Sequence, residues 1–152
     1  MLDMVKRFFN RAESGGSGGN QTKSENDTHV AACALFLAMA QIDESASPEE
    51  LDTIRSILNA KYGLSPEDAE ALMAEAKQEL AASIDYWDFA KTINDNYSTD
   101  EKLEIIEGLW QIVFADDHMN RYENYLMHKL STILRLSHDQ LIDAKLKVLH
   151  SS

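Results

Sequence analysis

The chain has 152 residues, and 44% of them are hydrophobic, which is enough for one globular domain with a buried core. Its net charge is −12 and its pI is near 4.7, so its surface repels phosphate backbones and no nucleic acid is expected as a partner. The single cysteine, Cys33, lies in an apolar run, which excludes an intramolecular disulfide and is typical of a cytoplasmic protein.

Residues 1–13, the head, form a short amphipathic segment. On a helix, its apolar side would carry Met1, Leu2, Val5, Phe8 and Phe9, and its basic side Lys6, Arg7 and Arg11. Such a segment can touch a membrane surface or a partner. With about eleven residues it is marginal as an isolated helix, so docking on its own domain is the preferred expectation. The head lacks the continuous apolar stretch of a secretory signal.

Residues 14–26 are predicted to be a flexible linker. The stretch 14–19 reads Ser-Gly-Gly-Ser-Gly-Gly, and polar residues extend it. We place the globular domain at residues 27–150, with Asp27 or Thr28 opening its first helix. The apolar run from Val30 to Ala40 is too short to cross a bilayer, which needs roughly 20 residues.

About seven helices are predicted in this domain. Four serines fit the N-cap position, each followed three residues later by an acidic or amide side chain that completes a capping box: Ser47, Ser65, Ser98 and Ser137. Apolar and aromatic residues at helical spacing are predicted to face the core; they include Trp87, Phe89, Leu103, Ile106, Leu109, Trp110, Val113 and Phe114. No segment alternates as a strand does. We therefore predict an all-α domain.

One pattern occurs twice in the domain: an apolar helical run, an Asp, a Glu seven residues later, and a second helical run. Asp116 lies 73 residues after Asp43, and Glu123 lies 73 residues after Glu50. Apolar positions downstream match at the same offset, until a slip of one residue brings Leu136 opposite Leu64. The pattern predicts two duplicated helix-turn-helix units.

The two acidic turns are the candidate functional site. The last carbonyls of the preceding helices carry the negative end of a dipole, so a cation held by Asp43 or Asp116 has physical support. Such oxygen ligands suit hard divalent cations, calcium or magnesium in preference to zinc. The candidate metal ligands are Asp43, Glu50, Asp116, Asp117 and Glu123.

Neither turn is an EF-hand, because Ile54 and Met127 occupy the position of its bidentate Glu. Helix capping is the alternative interpretation of these residues. Glu50 lies three residues after Ser47, and Glu123 three residues after Asn120, so each glutamate can complete a capping box without any metal. Spacing alone favours capping over ion binding.

Transition-metal, di-iron and nucleophilic sites are less well supported by the sequence. His118, His128 and His138 follow one another at intervals of ten, which does not return to one helix face, so scattered surface histidines are expected rather than a shared transition-metal site. The chain has no Glu-x-x-His pair for a di-iron centre and no Gly-x-Ser-x-Gly nucleophile motif. We therefore predict that the protein is not an enzyme.

The duplicated turns resemble those of the tellurite-resistance TerB-like family, in which an Ala-x-x-Asp-Gly or Ala-Asp-Gly turn precedes a helix-starting Glu. The matching stretches run from Ala40 to Glu50 and from Ala115 to Glu123, and the resemblance covers roughly residues 30–149. It implies an all-helical cytoplasmic protein of tellurite and stress response whose acidic turns bind a divalent metal. Glu44 and Asp117 replace the turn glycine, which adds a carboxylate to each turn.

With this resemblance, the sequence predicts a non-enzymatic, TerB-like stress-response module in the cytoplasm. It would bind a divalent cation at one or both acidic turns and act through a protein partner that the sequence does not identify. The alternative is a metal-independent helical adaptor for protein–protein interaction, able to reach a membrane surface through its head.

Overall fold

Helices account for all the regular structure in the described part of the chain. The computed structural model describes residues 19–41, 47–83, 85–115 and 121–150. Within these ranges there are seven α-helices and no strand, which confirms the all-α prediction: α1 Gly19–Ala40, α2 Pro48–Tyr62, α3 Pro66–Ala82, α4 Trp87–Asn96, α5 Thr99–Ala115, α6 Arg121–Ile133 and α7 His138–His150. Among these seven, none has the length and apolar character needed to cross a membrane.

The first helix begins earlier than expected. It starts at Gly19, inside the predicted linker, and not at Asp27 or Thr28. Once a packed helix exists, each further turn adds hydrogen bonds at little cost, so polar residues can extend it. Among the residues of α1 whose side chains the structure describes, Asp27 is exposed and Thr28 is buried. The domain boundaries themselves stay predictions, and the head lies outside the described residues.

Helix α1 is the centre of the fold. Every residue from Val30 to Ala40 is buried, and α1 packs against α2, α3, α4 and α5. A helix that is apolar on all sides is stable only when it is surrounded in this way. Cys33 is fully buried here, and burial raises the pKa of its thiol well above its ordinary range. The thiol is therefore an inert part of the core.

The duplication in the sequence is also a duplication in the fold. Helices α2 and α6 begin 73 residues apart, at Pro48 and Arg121. At this offset, buried residues match buried residues: Glu50 with Glu123, Ile54 with Met127, and Ile57 with Leu130. Helices α3 and α7 follow, each with a serine at the N-cap that accepts a hydrogen bond from a backbone N–H three residues later.

The one-residue slip between the two units arises where α2 and α6 end. A residue in the left-handed region follows each helix: Gly63, with φ 66°, comes directly after α2, and Arg135, with φ 62°, comes two residues after the end of α6. The N–H of Gly63 donates to Asn59 O, four residues back, whereas that of Arg135 donates to Thr132 O, three residues back. The second turn is thus one residue shorter.

The two left-handed residues allow a pair of opposite substitutions, one that adds a Cβ and one that removes it. We expect Gly63→Ala to lower the free energy of unfolding by about 1 kcal/mol and Arg135→Gly to raise it by about 1 kcal/mol, because left-handed backbone penalises any residue with a Cβ. A Cβ at Gly63 would meet no atom within 4 Å, so backbone strain alone acts there. Urea unfolding measures both changes. A loss of stability in Arg135→Gly would show that the arginine side chain contributes more than the strain costs.

Helices α1 and α5 run in the same direction. A Cβ added at Gly108 would lie 3.0 Å from Phe36 Cε1, so α1 and α5 approach closely at this level. Nearer the start of both helices, His29 lines the same groove as Glu101 and Glu104. Residues nearer the start of α1 thus lie beside residues nearer the start of α5, and residues nearer the end of α1 lie beside residues nearer the end of α5. The C-terminal ends of α1 and α5, from which the two acidic turns depart, consequently lie at one end of the bundle.

The core matches the predicted apolar face of α5. Ile106, Leu109, Trp110 and Val113 are buried, and Leu103 and Phe114 are partly buried against them. Trp110 Nε1 donates a hydrogen bond to Leu141 O, 3.1 Å away, which links α5 to α7.

The assignment of Trp87 to the core was wrong, since it is 61% exposed. Trp87 is the first residue of α4, where Phe89, Ala90 and Ile93 form the buried face. Those positions leave Trp87 on the solvent side of the helix.

Candidate functional site

The structure describes two of the five predicted metal ligands. Glu50 and Glu123 lie in the first turns of α2 and α6. Asp43, Asp116 and Asp117 belong to the segments 42–46 and 116–120, outside the described residues. The complete ligand set therefore stays a prediction.

Glu50 completes a capping box at the start of α2. Its N–H donates to Ser47 Oγ at 3.1 Å, and the Ser47 N–H donates to Glu50 Oε1 at 3.0 Å. Ser47 has extended backbone and Pro48 occupies the first turn, as expected for a helix start. The capping role predicted for Glu50 is confirmed. Within the described residues, no hydrogen bond uses Glu50 Oε2.

Both glutamates are buried, which is unusual for this residue type. Glu50 is 7% exposed and Glu123 only 2%. An ionised carboxylate loses its hydration when it is buried, so it must be compensated by hydrogen bonds or by positive charge. Each glutamate directly follows a segment that is rich in further oxygen ligands. Burial at both positions is a feature that the spacing of the sequence did not indicate.

The helix ends beside the two turns lack basic side chains. Neither α1 nor α5 has a basic residue in its last turn, a feature that they share with α3, α4 and α6. Carbonyl groups at a helix C-terminus carry a partial negative charge that a nearby cation stabilises. A cation bound at the end of α1 or α5 would be stabilised by this partial charge.

A groove of 470 Å³ lies beside the C-terminal end of α1. Its lining includes Gln41 from that end, Ser83 and Asp85 from the α3–α4 connection, and Lys129 from α6. The Lys129 ammonium lies 5.5 Å from the centroid of the Tyr86 ring, in a cation–π contact. The groove is thus lined by one positive and one negative side chain, Lys129 and Asp85.

Two histidines that the sequence analysis treated as scattered are neighbours. The rings of His128 and His138 are stacked, with centroids 5.6 Å apart, and both residues are exposed as predicted. His118 lies outside the described residues. Over residues 19–41, 47–83, 85–115 and 121–150, no group of three or more His, Cys, Asp or Glu residues is placed to hold a metal ion.

Comparison with known proteins gives one match. The chain matches no curated protein and no solved structure. Residues 29–146 match the family described as tellurite resistance protein TerB. This range runs from the buried part of α1 through most of α7. This range contains both helix-turn-helix units and both buried glutamates. The chain therefore belongs to the TerB tellurite resistance family.

Proposed function

We propose that this TerB-family protein is a non-enzymatic module that binds a divalent cation at the acidic turns before α2 and α6. Calcium or magnesium is the expected ion, in preference to zinc. We propose further that the module serves a cytoplasmic stress response and acts through a protein partner. The observation that supports the metal site best is the pair of buried glutamates, Glu50 and Glu123, at matched positions in the two units.

The chemistry of the two turns suits a hard cation. Asp43, Asp116 and Asp117 would contribute carboxylate oxygens, with Glu50 and Glu123 closing each turn. A cation would compensate the charge of these carboxylates and of the two helix ends that lack basic residues. Capping does not compete with this role at Glu50, because the capping box uses only one oxygen of its carboxylate.

The alternative function, a metal-independent adaptor, draws support from two observations. The capping box shows that Glu50 has a structural role without a metal. In addition, three aromatic side chains are more than half exposed, Trp87 on α4 and Tyr122 and Tyr125 on α6. Aromatic residues are enriched where proteins bind partners. The two functions differ in whether an ion stabilises the folded state.

The test is a titration of the metal-stripped full chain with calcium, magnesium, manganese and zinc in turn. Amide NMR spectra and thermal unfolding are recorded at each ion concentration. We expect saturable shifts at the first turns of α2 and α6. An ion at about 100 times its Kd would add roughly 2.7 kcal/mol to the free energy of unfolding. The double variant Asp43→Asn, Asp116→Asn should lose both effects.

A matched control is the double variant Glu67→Gln, Asp139→Asn. It removes two exposed carboxylates from the first turns of α3 and α7, so its net charge changes equally while both acidic turns remain. It should bind calcium or magnesium as the wild type does. If the amide signals in the first turns of α2 and α6 stay unchanged at millimolar concentrations of every ion, the metal proposal is contradicted and the adaptor is favoured.

A further inference from the structure

A pair of exposed histidines lies on α6 and α7, separate from the acidic turns. The imidazole rings of His128 and His138 are nearly parallel, with an interplanar angle of 12° and centroids 5.6 Å apart. Within the described residues, neither ring takes part in a hydrogen bond or an ion pair. Four ring nitrogens are therefore close together and available to a ligand from solvent.

The backbone on both sides of this pair is held firmly. The N–H of Leu136 donates to Ser131 O at 2.9 Å and closes the turn between the two helices. After the turn, Ser137 and Gln140 form a reciprocal capping box with hydrogen bonds of 2.8 and 3.1 Å. Leu134, Leu136 and Leu141 are buried beneath it. The two histidines are thus presented by a rigid connection, which lowers the entropy cost of binding one ligand with both rings.

The surroundings also suit a cation. Asp139 follows His138 directly, and the whole chain carries a net charge of −12. The nearest basic residues in sequence are Arg135, three residues before His138, and Lys129, whose ammonium lies 5.5 Å from the centroid of the Tyr86 ring. A positive ion at the histidine pair therefore gains from the field of the protein.

We propose that His128 and His138 together bind a borderline divalent cation such as Zn²⁺, Ni²⁺ or Cu²⁺, with water in the remaining coordination positions. Imidazole nitrogen is a preferred ligand of these ions, at roughly 2.0 to 2.1 Å for zinc. Because both side chains are exposed, their χ angles can turn one nitrogen of each ring toward a common ion. This site goes beyond the proposed function, since it differs from the acidic turns in its residues and in the class of ion.

The test is a calorimetric titration of the metal-stripped full chain with zinc chloride, with the imidazole C–H signals followed by NMR. We expect one zinc ion to shift the signals of His128 and His138 together. His128→Ala and His138→Ala should each lower the zinc affinity at least about tenfold, since loss of a direct ligand should cost no less than loss of a group that only supports one. His150→Ala, an exposed histidine on the same helix α7, is the matched control and should leave the affinity unchanged.

Two further measurements separate this site from the acidic turns. Calcium should not shift the imidazole signals of His128 and His138. The variant Asp43→Asn, Asp116→Asn should keep its zinc affinity at the histidine pair. The proposal is overturned if both histidine variants bind zinc as the wild type does, or if only one of them loses affinity, which would mean that no ion is shared. Circular dichroism should show native helicity for the three histidine variants, at positions 128, 138 and 150, because these side chains are exposed.

Discussion

Trp110→Ala is expected to lower the free energy of unfolding by about 3 to 5 kcal/mol. Trp110 is 1% exposed and is one of the largest fully buried side chains. Its ring stacks on Phe114 at a centroid distance of 5.7 Å, and its Nε1 holds the backbone of α7 at Leu141. The substitution would leave a cavity between α5 and α7 and would remove the side-chain hydrogen bond that joins the two helices. Urea unfolding followed by far-UV circular dichroism measures the change.

Two control variants separate the causes of this effect. Trp110→Phe keeps an aromatic ring but loses the indole N–H, so a smaller cost of about 0.5 to 1.5 kcal/mol is expected for the lost hydrogen bond to Leu141 O. Trp87→Ala makes the same substitution at an exposed position and should change stability by no more than about 0.5 kcal/mol. Equal losses at Trp110 and Trp87 would contradict the core role assigned to Trp110.

Lys102→Met is expected to lower the free energy of unfolding by about 2 to 3 kcal/mol. Lys102 is only 9% exposed, and its ammonium donates to Leu134 O at 3.0 Å and to Asn94 Oδ1 at 3.2 Å. Asn94 in turn donates to Ile133 O at 2.9 Å. The positive charge therefore sits at the C-terminal end of α6, where the helix dipole favours it. Methionine is one atom shorter than lysine, keeps most of the apolar chain, and removes both the charge and the donors.

Lys91→Met, an exposed lysine on α4, is the matched control and should leave the unfolding midpoint nearly unchanged. A double-mutant cycle with Asn94→Ala measures how strongly the two side chains depend on each other, since both serve the same helix end. A loss no larger for Lys102→Met than for Lys91→Met would show that the buried ammonium adds no net stability.

Much of the fold was predictable because its signals are local. Serines at 47, 65 and 137 followed by acceptors three residues later mark helix starts, and the structure has a capping hydrogen bond at each. The repeat at an offset of 73 was visible because matched positions face the same core and so keep the same chemistry, as Ile54 and Met127 do. The start of α1 was missed because a polar segment carries no signal that distinguishes a linker from the extension of a packed helix.

The candidate site was predictable only in part. The spacing of Ser47 and Glu50 indicates a capping box, and that box is present. The same spacing carries no information about burial, so the deep burial of Glu123 emerged only from the packing of α6. The metal ligand set depends on Asp43, Asp116 and Asp117, and it stays a prediction that the titration tests.

By itself, the sequence determined the helices, their caps, the duplication and the family, because each of these depends on the order of residues within one or two turns or on a repeat along the chain. Only the tertiary structure decided which helices run side by side. It placed the ends of α1 and α5 at one end of the bundle, brought Lys102 to the end of α6, and stacked His128 on His138. These arrangements depend on how separate helices bury their apolar faces against each other, and that packing brings together residues whose distance along the chain says nothing about their distance in space.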